Sequence, residues 1–305
     1  MRGAPPKPAR FQWPPGPFPL PPSAPQPTPS QPARSQSPVK QLRALLRTIE
    51  NDWLGRTAQP LEDRLNEEGF SLESAADSCP RCASDLAPHE IIRENEGLPY
   101  CSVCEEQKLP WSRAIRAARY ESAVRQSILE AKLTGWRELA FDLGRLLGLA
   151  VNPQLTSFLA TNSLTTRDVA VVPAPTHRFR LWSRGIDHTQ EIARGMQAVC
   201  EVPVHRVLTR AHRPTQTSQT KGARRRNVAK TMTQEFALPA ESKLVIVVDD
   251  VRTTGATLRE CCRALREGSH GSQYGVEKEG PIKSAFSRSG MPILWVATVA
   301  VTPTR

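Results

Sequence analysis

The sequence predicts an α/β fold in which a mostly parallel sheet is flanked by helices. Apolar runs at 169–172, 244–248 and 293–301 are rich in β-branched residues and have the composition of strands buried on both faces. Helical patterns separate these runs, and strands joined through helices pair in parallel. A chain of 305 residues is long enough for one such domain with a core and smaller appendages.

The N-terminal part of the chain is predicted to lie outside this domain. Residues 1–38 are rich in Pro, Ser and Gln, so they bury too little surface to offset their ordering entropy, and we interpret them as a disordered tail. Residues 39–77 are interpreted as a short helical segment, with an amphipathic helix over 39–55. Its apolar residues at helical spacing are Leu42, Leu45, Leu46 and Ile49.

Two cysteine pairs define the next segment, 78–113, as a zinc ribbon. Four thiolates on two short turns can close a tetrahedral shell around one zinc ion. The four are Cys79, Cys82, Cys101 and Cys104. Because sulfur fills all four positions, the zinc is predicted to be structural. Two disulfides or four unpaired thiols are the alternatives, and the lack of an apolar signal core disfavours the disulfides.

Residues 114–305 are predicted to form the α/β domain. A helical region begins near residue 119, breaks at Gly135 and continues with a second apolar stripe that is typical of core packing. After the strand at 169–172, Asp187 and Gln190 form a capping box for a helix over 188–199. Residues 268–290, rich in Gly, Ser and charge, are predicted to be a surface insertion before the last strand.

The most specific motif follows the strand at 244–248, which Asp249 and Asp250 are predicted to close. Open α/β folds bind ligands at the carboxyl ends of their strands, which is where these two aspartates lie. Backbone N–H groups and hydroxyls at the start of the next helix suit a phosphate, and Gly255 lets the backbone approach it closely. The loop consists of Thr253, Thr254, Gly255, Ala256 and Thr257.

The two aspartates predict what lies beside the phosphate. Adjacent carboxylates repel a polyphosphate, so their natural partner is a ribose diol or a divalent cation. The loop contains no lysine, which excludes a Walker-type P-loop. A phosphoribose satisfies both halves of the motif. The alternative is a buried strand followed by an Asp- or Thr-capped helix.

The formal charge of +11 is concentrated in the second half of the chain. No acidic residue occurs between Val202 and Gln234, and such a basic field suits a pyrophosphate-bearing substrate and nucleic acid equally well. Residues 213–227 are interpreted either as an active-site flap or as a solvated basic loop. Arg178, just beyond the strand at 169–172, has a planar guanidinium suited to phosphate oxygens. His188 is read either as an acid–base group or as a solvated histidine in a first helical turn.

Taken in order, these motifs resemble the ComF family of double-zinc-ribbon, phosphoribosyltransferase-like proteins. They are two Cys-x-x-Cys pairs, a helical segment with Lys132 before Gly135, Val-Val-Pro-Ala-Pro, Arg-Gly-x-Asp-His, Arg-Pro-Thr-x-x-x-x-Gln, Arg-Arg-Asn-Val and Val-Asp-Asp-Val-x-Thr-Thr-Gly-Ala-Thr. The last motif resembles the 5-phosphoribosyl-1-pyrophosphate (PRPP) loop of type I phosphoribosyltransferases. The resemblance covers 78–266 and the last strand. The chain departs from the pattern at Asp187 and His188, where many members have Asn-Gln.

The resemblance implies a Mg²⁺-dependent, phosphoribosyltransferase-like protein that binds PRPP. The 5-phosphate would lie in the loop at 253–257, and Asp249 and Asp250 would hold the ribose hydroxyls. Arg178 would contact the pyrophosphate, and Lys221 or Arg224 in the flap would neutralise the departing charge. The motifs indicate no particular acceptor.

A second hypothesis stays open, in which the protein senses PRPP without turnover or binds single-stranded DNA. The resemblance supports it because the family is linked in some bacteria to competence and DNA uptake. Phe179 and Trp182, near the basic stretch, are residues of the type that stacks bases. No stretch of sequence has the length and apolarity of a membrane span. The absence of a targeting segment and the thiolate zinc ligands predict a cytoplasmic protein, and a homo-oligomer is compatible with these features.

Overall fold

The computed structural model describes residues 59–72, 77–86, 93–95, 98–105, 107, 109–134, 136–176, 186–211, 231–270 and 291–303. The chain forms two compact units, Met1–Ser71 and Leu72–Arg305. In the first unit, the described residues form one short helix, α1 (Leu61–Glu67). The predicted tail at 1–38, the helix at 39–55 and most of the insertion at 268–290 lie outside the described residues.

The second unit alternates strands and helices along the chain. In order, its elements are β1 (Arg93–Asn95), β2 (Leu98–Tyr100), α2 (Ser102–Glu105), β3 (Arg113–Arg119), α3 (Ser122–Thr134), α4 (Arg137–Thr161), β4 (Val169–Pro173), α5 (His188–Cys200), β5 (Leu208–Arg210), β6 (Met232–Gln234), β7 (Leu244–Arg252), α6 (Ala256–His270) and β8 (Ile293–Val301). None of the helices in the described part of the chain combines the length and apolarity needed to cross a membrane.

A four-stranded parallel sheet forms the centre of this unit, in the order β3-β8-β7-β4. The predicted fold class, a parallel sheet flanked by helices, is therefore confirmed. The central strand is longer than predicted, since β7 continues past Val248 to Arg252. It does so because β8 extends alongside it, with Asp249 opposite Thr298 and Arg252 opposite Val301.

The edge strand β3 was not predicted, because its sequence contains three arginines and few β-branched residues. Its central Arg116 is buried and donates to the Ala83 carbonyl at 3.1 Å and to Asp85 at 2.5 Å. Arg119 donates to the same Asp85 oxygen at 2.8 Å. Burial would raise the pKa of Asp85, but the hydrogen bonds from the two arginines outweigh it and lower the pKa. The segment before β3 is thus attached to the sheet by ion pairs.

Each face of the sheet packs against different elements. Val245 and Val247 belong to a core cluster that also contains Leu258 of α6 and the four cysteines of the predicted ribbon. Because side chains alternate along a strand, Ile246 and Val248 point to the opposite face. Helices α4 and α5 contact the sheet, α4 at β3 and β8 and α5 at β4 and β7.

Helices α4 and α5 approach each other unusually closely at glycines. A Cβ atom built on Gly144 would lie 2.0 Å from the Ile192 carbonyl oxygen, and one on Gly195 would lie 1.9 Å from the Phe141 carbonyl oxygen. Since both contacts are with backbone atoms, no side-chain rotation could relieve them. The glycines therefore set the position of α5, whose first residue is His188.

Candidate functional site

The predicted phosphoribose loop lies where β7 passes into α6, at the carboxyl edge of the sheet. Strand β4 ends at Pro173, opposite Val248, and Ala174 donates its N–H to the Val248 carbonyl at 2.8 Å. Strand β7 continues to Arg252, so its last residues extend past the end of β4. Both predicted aspartates lie in the part of β7 that extends beyond β4.

Asp250 is buried, with 6% of its surface exposed, and its carboxylate meets a lysine and a histidine. Its Oδ2 lies 2.6 Å from His188 Nε2 and 2.9 Å from Lys132 Nζ. Its Oδ1 accepts the N–H of Val251 at 2.6 Å. Burial alone would raise the pKa of Asp250, but the hydrogen bond from His188 and the charge of Lys132 outweigh it and lower the pKa to about 2. Asp250 is therefore ionised at neutral pH.

Asp249 has different surroundings from its neighbour. It is half-buried, and strand alternation places it on the face of the sheet that packs against α6. Its Oδ1 accepts the N–H of Asp250 at 2.9 Å. Burial and the negative charge of Asp250 raise the pKa of Asp249 to about 7, and Lys132 and His188 offset this only in part. The dyad thus combines one ionised carboxylate with one that titrates near neutral pH.

The loop after β7 is the segment predicted to bind a phosphate. Gly255 has φ +71°, a conformation that glycine adopts without strain, and Thr254 Oγ1 accepts the N–H of Ala256 at 3.4 Å. Arg252 is 6% exposed, and its Nε finds no hydrogen-bond partner among the described residues. Its Nη1 contacts Ser84 Oγ at 3.5 Å. The start of the 15-residue helix α6 and this guanidinium place positive charge at the same loop.

A polar network joins the exit of β4 to the start of α5. Asp187 is the N-cap of α5, as predicted, and its Oδ1 accepts from the Gln190 N–H at 3.4 Å. The same oxygen accepts from Thr176 Oγ1 at 3.0 Å. Thr189 Oγ1 lies 2.8 Å from both this oxygen and the Ala174 carbonyl, and its single proton is donated to one of the two acceptors. These bonds hold the first turn of α5, and with it His188, at the carboxyl edge.

Other predicted site residues cannot be placed in this geometry. Arg178, Lys221 and Arg224 lie outside the described residues, as do the aromatic side chains Phe179 and Trp182. Their contacts with a ligand stay predictions.

Two residues of the observed cluster did not emerge as site residues from the sequence. Lys132 was only part of a family motif, and His188 was read either as an acid–base group or as a solvated histidine. The structure buries His188, with 8% of its surface exposed, so the solvated reading is wrong. The two side chains come from helices far from Asp250 in sequence. Lys132 and His188 could have been predicted as site residues because each lies at an end of a helix, near the carboxyl edge of the predicted sheet.

The four ribbon cysteines converge on one point and are positioned to bind a metal ion. Their sulfur atoms all lie within 4.8 Å of one another and are buried. The Sγ–Sγ distances are 3.8 Å for Cys79–Cys104 and 3.7 Å for both Cys82–Cys101 and Cys101–Cys104. A regular tetrahedron with zinc–sulfur bonds of about 2.3 Å has edges of about 3.8 Å. A disulfide needs about 2.05 Å, so these distances exclude the disulfide alternative.

The close approach of the four thiols favours a cation between them. Burial and the charges of Cys82 and Cys79 raise the pKa of Cys101 to about 12. Hydrogen bonds from Cys104 and Cys79 lower the pKa of Cys82. Four thiolates this close would repel one another, and a positive charge between them would offset that repulsion. A divalent ion bound by thiolates supplies that charge.

The ribbon packs directly beneath the phosphoribose loop. Trp111, 1% exposed, donates its indole N–H to the Arg81 carbonyl at 2.9 Å, between Cys79 and Cys82 in the chain. A Cβ atom built on Gly255 would lie 3.5 Å from Trp111 Cη2. The cysteine cluster and the loop therefore share one packed core.

Comparison with known proteins agrees with these motifs and contacts. No protein-family model matches the chain. The chain is 28% identical over 191 residues to DNA utilization protein YhgH of Escherichia coli K12, covering 61% of this chain and 77% of that protein. It is 26% identical over 196 residues to Competence protein F of Haemophilus influenzae, covering 62% and 78% of the two chains. These relatives support the resemblance to the ComF family. The convergent cysteines agree with the ribbon expected of a ComF protein.

Proposed function

We propose that this ComF-like protein binds PRPP with Mg²⁺ at the carboxyl edge of its sheet and transfers the phosphoribosyl group to an acceptor. The observation that carries the proposal is the pairing of Asp249 and Asp250 with an anion-binding loop at the start of α6. Carboxylates accept hydrogen bonds from a ribose diol, and the loop amides and Arg252 donate to a phosphate. A phosphoribose fits both because its phosphate and its diol are on one small molecule.

In this proposal each group has one task. The loop Thr253, Thr254, Gly255, Ala256 and Thr257 would bind the 5-phosphate. Asp249 and Asp250 would accept the ribose hydroxyls, and Arg178 would contact the pyrophosphate. Lys221 or Arg224 would neutralise the departing charge. Mg²⁺ bound with PRPP would supply further neutralisation of the pyrophosphate.

The proposed reaction is a substitution at the anomeric carbon. The bond from this carbon to the pyrophosphate oxygen breaks, and pyrophosphate leaves with the electron pair. A lone pair of the acceptor forms the new bond, and the acceptor then loses a proton to solvent. Because the transition state resembles an oxocarbenium ion, orienting the ribose and stabilising the pyrophosphate would supply most of the rate enhancement.

We also propose that the ribbon holds zinc in a structural role. The four cysteines and their tetrahedral spacing support this, since zinc is the common metal at closed Cys₄ sites. Metal analysis should give one zinc per chain, and none after Cys101→Ser with Cys104→Ser. A different metal, or a zinc content unaffected by the substitutions, would refute the assignment.

PRPP binding is tested by titration calorimetry with Mg²⁺, followed by a screen for pyrophosphate release against a panel of nucleobases. Asp249→Asn and Asp250→Asn should each abolish binding. Asp63→Asn, which makes the same chemical change at an exposed carboxylate of α1, should bind as the wild type does. If neither PRPP nor Mg²⁺ changes the heat of titration or the melting temperature of the wild type, the proposal fails.

A second candidate function follows from the names of the relatives, one a DNA utilization protein and another a competence protein. In this alternative the chain acts in DNA uptake or processing, by sensing PRPP without turnover or by binding single-stranded DNA. Single-strand binding should weaken steeply with salt, and charge reversal at Arg224, Arg225 and Arg226 should flatten that dependence. Sensing predicts PRPP binding without pyrophosphate release for any acceptor.

A further inference from the structure

Two side chains from different helices meet a single oxygen of Asp250. Lys132 lies in the last turn of α3, and His188 is the first residue of α5. Their nitrogens approach Asp250 Oδ2 at 2.9 Å and 2.6 Å. The Val251 N–H approaches the other oxygen at 2.6 Å. Donors from α3, α5 and the strand itself therefore surround this carboxylate.

The tautomer of His188 follows from its partner. An ionised carboxylate can only accept hydrogen bonds, so His188 Nε2 must carry the proton that faces Asp250. His188 Nδ1 is buried and finds no hydrogen-bond partner among the described residues.

Charge neutralisation alone does not explain this arrangement. One lysine is enough to balance one buried carboxylate, yet His188 makes a second and shorter contact with the same oxygen. A carboxylate held by a single lysine can still rotate about its Cβ–Cγ bond. With two donors at Oδ2 and one at Oδ1, Asp250 is held in a single orientation. The second lone pair of Oδ1 then has a defined direction for a hydroxyl.

We propose that Lys132 and His188 are positioning residues that hold the Asp250 carboxylate in the orientation needed to accept a ribose hydroxyl. This inference rests on the proposed PRPP site and deepens it. Neither residue needs to touch the ligand. Their effect is to fix an acceptor before the ligand arrives, so that little ordering is required when it binds.

The anion loop and the carboxylates can be measured separately with two different ligands. PRPP uses the anion loop and the carboxylates together, whereas inorganic phosphate uses the loop alone. If Lys132 acts on Asp250, Lys132→Gln should weaken PRPP by roughly tenfold or more, as expected when a charge-assisted hydrogen bond is lost. The same variant should leave the affinity for inorganic phosphate unchanged. A general loss of structure would weaken both ligands.

Conservative and matched variants complete the test. Lys132→Arg should restore most of the PRPP affinity, because arginine keeps a cationic donor. His188→Gln keeps an N–H donor and should bind PRPP within about threefold of the wild type, whereas His188→Leu, which has none, should lose roughly tenfold. Lys243→Gln removes the same charge at the opposite end of β7, where Lys243 is exposed, and should have no effect.

Calorimetric titrations of each variant with PRPP plus Mg²⁺ and with inorganic phosphate would decide the matter. A wild-type protein that does not bind PRPP overturns the proposed function, and the inference falls with it. A wild type that binds PRPP, together with Lys132→Gln and His188→Leu variants that bind it equally well, overturns the inference alone. The inference is also overturned if Lys132→Gln weakens the binding of PRPP and of inorganic phosphate equally and Lys132→Arg does not restore either affinity.

Discussion

The raised pKa of Asp249 predicts how PRPP affinity depends on pH. A ribose hydroxyl donates a charge-assisted hydrogen bond to the ionised carboxylate, whereas the protonated acid is a weaker acceptor. Burial and the charge of Asp250 raise the pKa of Asp249 to about 7 in the free protein. The proton therefore competes with the ligand below pH 7 and no longer does so well above it.

The size of the effect follows from that pKa. Competition by one proton multiplies the dissociation constant by about 11 at pH 6 and by about 1.1 at pH 8, for a group titrating near 7. We therefore expect Mg²⁺-PRPP to bind about tenfold more tightly at pH 8 than at pH 6, a difference of about 1.4 kcal/mol. Further increases in pH should add little.

Calorimetry at pH 6, 7 and 8 measures this dependence. A phosphate monoester also titrates near pH 6, so its contribution must be removed. Inorganic phosphate, measured at the same pH values, reports the contribution of the loop alone. In buffers of different ionisation enthalpy at pH 6.5, PRPP binding should release most of one proton beyond the amount released when phosphate binds.

The pH dependence of the free energy of unfolding of the ligand-free protein provides an independent check on the pKa of Asp249. A folded-state pKa above the unfolded value of about 3.9 means that folding favours the protonated acid. The contribution of Asp249 to the free energy of unfolding is therefore fully present below about pH 4 and is lost as the pH rises through about 7. Asp249→Asn should remove the part of this decrease in the free energy of unfolding that Asp249 causes. A PRPP affinity that is flat from pH 6 to pH 8, after correction for phosphate, would refute the reasoning.

Three further predictions concern the scaffold. Gly195→Ala should lower the free energy of unfolding in urea by about 3 kcal/mol or more, because its Cβ would lie 1.9 Å from the Phe141 carbonyl oxygen, and a loss below about 1 kcal/mol would contradict this contact. Asp85→Asn should cost about 1–3 kcal/mol by removing the carboxylate partner of the buried Arg116, and unchanged urea stability would argue against that role. Removal of the metal by a chelator should lower both the melting temperature and the affinity for inorganic phosphate.

The strands that the sequence predicted correctly are those whose burial is continuous. Residues 169–172, 244–248 and 293–301 are apolar because helices or the ribbon cover both faces of the sheet. Strand β3 escaped prediction because its arginines have no local explanation. Arg116 can be buried in a strand because Asp85, from a different part of the chain, meets it. A pairing of this kind is a tertiary contact that no periodicity reveals.

Some parts of the candidate site could be predicted from the sequence, and others depend on tertiary contacts. The loop at 253–257, the aspartates and the cysteine pairs are contiguous or closely spaced motifs, so their proximity could be predicted from spacing. The contacts of Lys132 and His188 with Asp250 depend on how α3 and α5 are placed, and α5 is placed by backbone contacts at Gly195. Sequence spacing cannot anticipate a contact between residues that the fold brings together over 62 positions, as for His188 and Asp250.

The effect of metal removal on the loop can be traced through Trp111. The indole is held by the Arg81 carbonyl, within the turn that presents Cys79 and Cys82, and it lies under Gly255. The Arg259 guanidinium of α6 lies 5.7 Å from the centre of the indole ring. Without a metal, mutual repulsion of the buried thiolates should open the turn at Cys79 and Cys82 and free the indole.

Gly255 and the start of α6 would then lose the surface on which they pack, and the loop amides would no longer converge on a phosphate. The chain has six tryptophans, so a Trp111→Phe variant is needed to assign the fluorescence change to this ring. In the wild type, chelation should shift the emission to longer wavelength and weaken inorganic phosphate in parallel, and added zinc should reverse both. If the metal-free protein binds phosphate as tightly as the zinc-loaded protein does, the ribbon does not support the loop, and Trp111 is only a core residue.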